Sequence, residues 1–161
     1  MISNIMLRKA KAFAAIATIA LFATRCSPAW SQKKPCPALR TSVLDHKFQP
    51  GQIWAYESRA NETTSTLTVL RIDSSAKIGT IVQVRIDGLK ARNPRGEIVP
   101  SVEHMPFTRD AILRSVTRLL KSNQPIPTLE GLDRWQSDCG GVYSISVRDA
   151  IDVMEKTLNA P

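Results

Sequence analysis

The sequence is poor in the residues on which enzymes and metal sites most often depend. Its 161 residues include 3 cysteines and 2 histidines, and aromatic side chains make up only 6% of the chain. No C-x-x-C, H-E-x-x-H or G-x-S-x-G pattern occurs, and no nucleotide-binding signature is present. Zinc, redox and serine-hydrolase chemistry therefore have no support in the sequence, which predicts neither a cofactor nor a metal site.

A long apolar run is also missing. The longest one, from Ala12 to Ala23, has roughly a dozen residues, whereas a membrane-spanning helix needs about 20. Arg8, Lys9 and Lys11 precede the run without any acidic residue. This order of a basic segment and a short apolar segment is typical of a secretory signal peptide, and a permanent transmembrane anchor is the alternative.

The end of the predicted signal is marked by small residues. Ala29-Trp30-Ser31 places small side chains at the −3 and −1 positions, so residues 1–31 form a cleavable signal and the exported chain starts at Gln32. The sequence thus predicts a periplasmic or extracellular protein. In the alternative reading Cys26 is the anchor of a lipoprotein, but Arg25 stands where lipoprotein processing prefers a small residue.

Loss of the signal changes the net charge. Four of the 22 basic residues and none of the 14 acidic residues lie in the first 31 positions, so the formal charge falls from +8 to +4. A balance this small is typical of an ordinary protein surface, and it does not indicate nucleic-acid binding. The sequence leaves the oligomeric state and the identity of any protein or envelope partner open.

Two cysteines remain after cleavage, Cys36 and Cys139. An even number in an oxidising compartment favours a disulfide, and two cysteines allow only one pairing. Two buried free thiols are the alternative.

The remaining chain predicts an α+β domain over residues 48–161, preceded by an extended arm over residues 32–47. Strands are expected at 52–59, 65–73 and 80–87, with a shorter fourth at 101–107, because β-branched residues are frequent and apolar residues alternate. Short connections favour an antiparallel meander of three to four strands with one solvated face.

Helical periodicity follows the strands. Apolar residues at helical spacing predict a helix over 110–121 with Thr108 as its cap, a less regular helix or turn over 129–138, and a last helix capped by Ser146. We expect these helices to pack on one face of the sheet.

The two histidines are the first candidates for chemistry. His104 follows Glu103, and His46 follows Asp45, so either histidine could work as a base beside a carboxylate. The alternative for both is a surface or structurally bonded imidazole.

Three further groups of residues are weaker candidates. The first group consists of four carboxylates, Glu130, Asp133, Asp138 and Asp149. They could form a catalytic pair or simply cap helices. The predicted 110–121 helix carries a basic stripe of Arg114, Arg118 and Lys121. Together with Arg92 and Arg95 the stripe could meet an acidic partner, or it could be a solvated face. The aromatics could line a groove or fill the core, and they are Trp54, Tyr56, Trp135 and Tyr143.

Four phrases carry a resemblance to known proteins. They are F-Q-P-G-Q-I-W-A-Y from Phe48, S-T-L-T-V-L-R-I-D from Ser65, H-M-P-F from His104 and G-G-V-Y-S-I from Gly140. Over residues 48–155 the chain resembles a group of small exported bacterial proteins without an established activity. The resemblance therefore implies export from a bacterium, and it assigns no catalytic residue to this chain.

The sequence as a whole predicts a non-enzymatic binding or envelope-accessory module. The basis is a compact domain with a half-exposed sheet and no nucleophile or metal signature. A small periplasmic hydrolase using His104 with Glu103 or Asp45 is the alternative, and a lipoprotein anchored at Cys26 is another.

Export gives the first testable prediction. The protein recovered from the host envelope or medium is expected to start at Gln32, because Ala29 and Ser31 meet the signal-peptidase preference. Intact-mass measurement decides this. A chain that still starts at Met1 in the membrane fraction would contradict it, and a diacylated Cys26 would favour the lipoprotein.

Overall fold

In the part of the chain that the structure describes, the framework is an antiparallel sheet of six strands accompanied by three helices. A computed structural model describes residues 36–41 and 43–160, so the predicted signal peptide, its cleavage site and Cys26 lie outside the described residues. In chain order the elements are β1 (Leu39–Thr41), β2 (Ile53–Tyr56), β3 (Thr66–Ser75), β4 (Gly79–Arg92), β5 (Ile98–Thr108), α1 (Arg109–Ser115), β6 (Val116–Lys121), α2 (Glu130–Ser137) and α3 (Val147–Leu158).

The sheet is larger than the predicted three to four strands. Its order is β5-β4-β3-β2-β6, and β1 pairs with the end of β3 beyond β2. The predicted meander corresponds to β2 through β5. Strands β3, β4 and β5 extend further along the chain than predicted, whereas β2 is shorter. The added strands are β1 from the N-terminal arm and β6 from the predicted helix.

Alternation along β4 separates two faces of the sheet. Val82, Val84 and Ile86 are buried in the main core, together with residues of β2, β3 and β5 and with Ile112 of α1 and Ile151 of α3. The intervening Gln83 is also fully buried, so the opposite face is not entirely solvated as predicted. Residues of α2 lie against that opposite face, where Arg71 Nη2 donates to Gln136 Oε1 at 3.3 Å.

The predicted helix over 110–121 is wrong in its second half. The helix begins as expected, with the Thr108 hydroxyl accepting from the Ala111 N–H, but α1 ends at Ser115. Val116 is already extended, and the chain continues as β6 along the edge of β2. Pairing with β2 at four positions satisfies backbone groups along one edge of this segment, and here it outweighs the helical spacing of the leucines.

This change disperses the predicted basic stripe. Arg118 and Lys121 are exposed on β6, whereas Arg114 remains on α1 and donates to the Ser144 carbonyl at 2.9 Å. Arg92 is the last residue of β4 and Arg95 lies in the connection to β5, at the other side of the sheet from β6. The five basic residues therefore do not form one surface.

Cys36 and Cys139 form the disulfide that the cysteine count predicts. Their Cα atoms are 5.0 Å apart, and the bond joins residues separated by 103 positions. Beyond Cys36, β1 pairs with β3 through Leu39 opposite Ser75. The disulfide therefore attaches the start of the described chain to the end of α2.

No helix within the described residues has the length and apolarity needed to cross a membrane.

The disulfide gives the second prediction. Replacement of both Cys36 and Cys139 by serine is expected to lower the free energy of unfolding by about 2–5 kcal/mol, because a loop of about 100 residues is no longer closed in the unfolded chain. Urea denaturation followed by circular dichroism measures the change. A reductant is the control, since it should destabilise the native protein and leave the double variant unchanged; equal effects on both would contradict the prediction.

Candidate functional site

The Asp45–His46 pair is not assembled as an acid–base pair. Asp45 accepts from Arg109 Nε at 2.5 Å and from the N–H groups of Lys47 and Phe48. Burial by itself would raise the pKa of Asp45, but the hydrogen bonds from Arg109, Phe48 and Lys47 outweigh it and lower the pKa to about 2. His46 is exposed. Asp45 therefore stabilises a turn and forms an ion pair with Arg109.

The predicted acidic group occupies helix ends. Glu130 and Asp133 lie in the first turn of α2, Asp138 is its C-cap, and Asp149 accepts from its N-cap partner Ser146 on α3. All four carboxylates are exposed. For Glu130, Asp133 and Asp149 this arrangement fits capping and interaction with the helix dipole, and the four residues form no shared carboxylate site.

One open groove collects residues that the sequence singles out separately. It lies beside β5, the terminal strand of the sheet, and has a volume of about 480 Å³. None of the described residues that line it is Asp, Glu, Lys or Arg. The lining consists of Val102, His104, Met105, Pro106, Trp135, Gly141, Val142, Tyr143 and Met154.

A β-bulge directs His104 away from the main core. Val84 and Ile86 of β4 pair with Met105 and Val102 of β5. One residue, Arg85, separates the two on β4, whereas two residues, Glu103 and His104, separate their partners on β5. The His104 Nε2 atom lies 2.7 Å from Oε1 of the buried Gln83. The histidine thus belongs to the face of the sheet that carries α2.

Gln83 connects His104 to a buried ion pair. Gln83 Nε2 donates to Asp73 Oδ2 at 2.7 Å, and Arg71 donates to both Asp73 oxygens at 2.8 and 3.0 Å. Asp73 and Gln83 are fully buried. We name Arg71, Asp73, Gln83 and His104 the polar chain.

The polar chain determines the protonation of His104. Because the amide nitrogen of Gln83 faces Asp73, its oxygen faces His104, and Nε2 of the imidazole must carry the hydrogen. Burial, helped by the positive charge of Arg71, lowers the pKa of His104 to about 4. At neutral pH the imidazole is uncharged, with Nδ1 as its acceptor atom.

The neighbouring wall of the groove is Trp135, whose position is closely constrained. Its Nε1 donates to the Gly141 carbonyl at 2.9 Å, and its ring centroid is 5.6 Å from that of His104. A Cβ atom on Gly140 would lie 1.9 Å from Cδ1 of the indole. The disulfide at Cys139 fixes the adjacent backbone, so α2, the glycines and the disulfide together position this ring.

The carboxylates proposed as partners of His104 are engaged elsewhere. Glu103 pairs with Arg85 at 2.9 Å, and Asp45 pairs with Arg109. Within the described residues, the one hydrogen bond of the His104 side chain is that to Gln83, with no carboxylate or hydroxyl group. The same part of the chain contains no cluster of His, Cys, Asp or Glu that could hold a metal ion.

The aromatic residues divide between the two roles that the sequence leaves open. Trp54 and Tyr56 are buried in the main core, while Trp135 and Tyr143 line the groove. Asp73, Gln83, Val142 and Met154 were not predicted as site residues. The alternation of β4 places Gln83 opposite the core-facing valines, but only the strand register brings it beside Asp73 and His104.

A second buried ionic cluster supports the structure away from the groove. Glu62 is buried and pairs with Arg59, which also contacts Asp152 and Glu155 of α3. A Glu62 oxygen accepts from the N–H of Lys90 on β4 at 2.6 Å. These contacts hold the β2–β3 connection, β4 and α3 together, which gives the cluster a structural role.

No protein-family model matches the chain, and no curated protein or solved structure matches it significantly.

Gly140 gives the third prediction. Gly140→Ala is expected to displace the Trp135 indole and to destabilise the protein by about 1–3 kcal/mol, as overpacking does. The measurements are the urea midpoint and the NMR resonance of the Trp135 indole N–H. Gly141→Ala is the matched control, because nothing lies within 4 Å of a Cβ built there. Equal effects of both variants would contradict the prediction.

Proposed function

We propose that the protein is an exported, non-enzymatic binding module and that the groove beside β5 binds an apolar ligand. The observation that carries this proposal is the lining of the groove: apolar and aromatic side chains surround one neutral imidazole. Ligand sites are commonly concave and apolar, with a small number of fixed polar groups that orient the ligand.

The polar chain supports a role for His104 in recognition. Because Gln83 holds Nε2 as a donor, the ligand meets a hydrogen-bond acceptor at Nδ1 rather than a positive charge. A buried acceptor selects for a ligand with a donor, since an unmatched polar group is costly to desolvate. The preferred ligand is therefore apolar and carries an N–H or O–H group.

The hydrolase alternative has less support. A general base works best with a pKa near the working pH and usually with a group that orients it. His104 has a pKa of about 4, and its hydrogen-bond partner is a neutral amide. We therefore favour binding over hydrolysis.

Export rests on the signal-like sequence, and the disulfide is compatible with it. A lipid anchor at Cys26 remains the alternative attachment.

In this proposal the helices divide between the two faces of the sheet, instead of all packing on one face as the sequence predicts. Residues of α1 and α3 join the main core, and α2 covers the polar chain and builds the groove wall.

Binding of a neutral probe tests the proposal. N-phenyl-1-naphthylamine is apolar and has one N–H donor, so its fluorescence is expected to rise on binding to the purified protein. Val142→Arg should weaken binding by at least about tenfold, because the substitution places a charge and a larger side chain in the groove. Fluorescence titration gives the dissociation constants.

Ser144→Arg is the matched control for the probe experiment. It adds the same charge two residues away, at an exposed position that does not line the groove. Absence of probe binding, or equal binding by the two variants, would overturn the proposed function.

A further inference from the structure

We propose that the ligand of the groove is an extended peptide of about five residues that adds to the outer edge of β5 as a further strand. This inference rests on the proposed function and names the class of ligand. Strand addition at an open sheet edge combines main-chain hydrogen bonds with side-chain contacts in adjacent pockets.

The outer edge of β5 offers unpaired backbone over most of its length. Strand β5 is terminal in the sheet, and β4 pairs with its inner edge. On the outer edge, the Tyr143 N–H donates to the Pro106 carbonyl at 2.9 Å, and the Thr108 N–H donates to the Tyr143 carbonyl at 2.8 Å. Among residues 36–41 and 43–160, no other segment bonds to that edge.

The segment around Tyr143 cannot continue along the edge. In a longer parallel ladder the Gly141 carbonyl would accept from residue 106, but Pro106 has no N–H. The Gly141 carbonyl accepts instead from Trp135 Nε1. The chain therefore leaves β5 at this point, and the groove opens where a continued strand would lie.

Two prolines define the length of the available edge. Pro100 and Pro106 lack backbone donors, so the stretch between them is Ser101–Met105. Five residues of strand span about 17 Å. Val102, His104 and Met105 of this stretch also line the groove, so that backbone and side-chain contacts occur in the same place.

The charge of the groove selects the side chains of the peptide. In the part of the chain that the structure describes, no charged side chain lines it and the imidazole is neutral, so charged peptide residues would be desolvated without a partner. The opposite edge of the sheet is less suited to strand addition. Strand β6 exposes Arg118 and Lys121, and basic side chains on an edge strand protect it against strand pairing.

The experiment uses pools of short peptides. The probe is acetyl-Thr-X-Thr-X-Thr-amide with Val, Leu or Phe at X, and binding to the purified protein is measured by isothermal titration calorimetry and by competition with N-phenyl-1-naphthylamine. Two further pools carry N-methyl groups, either on both X residues or on all Thr residues. Alternate N–H groups of a strand point to opposite edges, so each pool blocks one edge.

Strand addition predicts an asymmetric result. One methylated pool should lose at least about tenfold in affinity, while the other should retain the affinity of the unmodified pool. Binding should also weaken with Val142→Arg and persist with Ser144→Arg and with Leu120→Arg on the β6 edge.

The outcomes separate this inference from the proposed function. Probe binding without peptide binding, or equal affinity of the two methylated pools, would overturn strand addition and leave the apolar binding site standing. Peptide binding that Leu120→Arg removes and Val142→Arg does not would place the peptide on β6 and overturn the inference. Failure of both probe and peptides would overturn both proposals.

Discussion

The buried ion pair between Asp73 and Arg71 is the interaction on which the surroundings of the groove depend. Asp73 has no exposure to solvent, and its carboxylate is satisfied by Arg71 and Gln83. Removal of one partner from a buried pair costs about 3–5 kcal/mol, because the remaining charge has neither water nor a counter-ion. Strands β3 and β4 must therefore keep the register that sets Arg71 opposite Gln83. The separate register between β4 and β5 brings Gln83 beside His104.

The direction of the hydrogen bonds in the polar chain explains why binding is favoured over catalysis. A carboxylate beside His104 would stabilise its charged form, as in catalytic acid–base pairs. Gln83 lies between Asp73 and His104. Its amide orients the hydrogen bond to His104 but places no charge beside the imidazole. The result is a fixed, neutral acceptor in an apolar groove. Such a group can select a ligand, but it is a weak base at neutral pH.

Local patterns in the sequence predict much of the fold, and long-range contacts account for the rest. The alternation of Val82, Val84 and Ile86 predicts β4, and the Ser146 cap predicts the start of α3. The segment 116–121 is helical by spacing and becomes a strand because β2 offers an open edge, which no local pattern reveals. His104 is recognisable as a candidate, but its partner Gln83 lies 21 residues away and is identified only once the strand register is known.

The strand that local pattern misassigns also determines which edge of the sheet is left open for the proposed ligand. If residues 116–121 were helical, β2 would be the edge of the sheet, with the buried Trp54 and Tyr56 next to an unpaired backbone. β6 instead covers β2 and presents basic side chains to solvent. At the other end of the sheet, the segment around Tyr143 makes a single bridge to Phe107 of β5. It then leaves the strand, because Pro106 has no N–H with which to continue the ladder. One edge is therefore protected and the other is open, and the groove with its neutral histidine lies at the open edge.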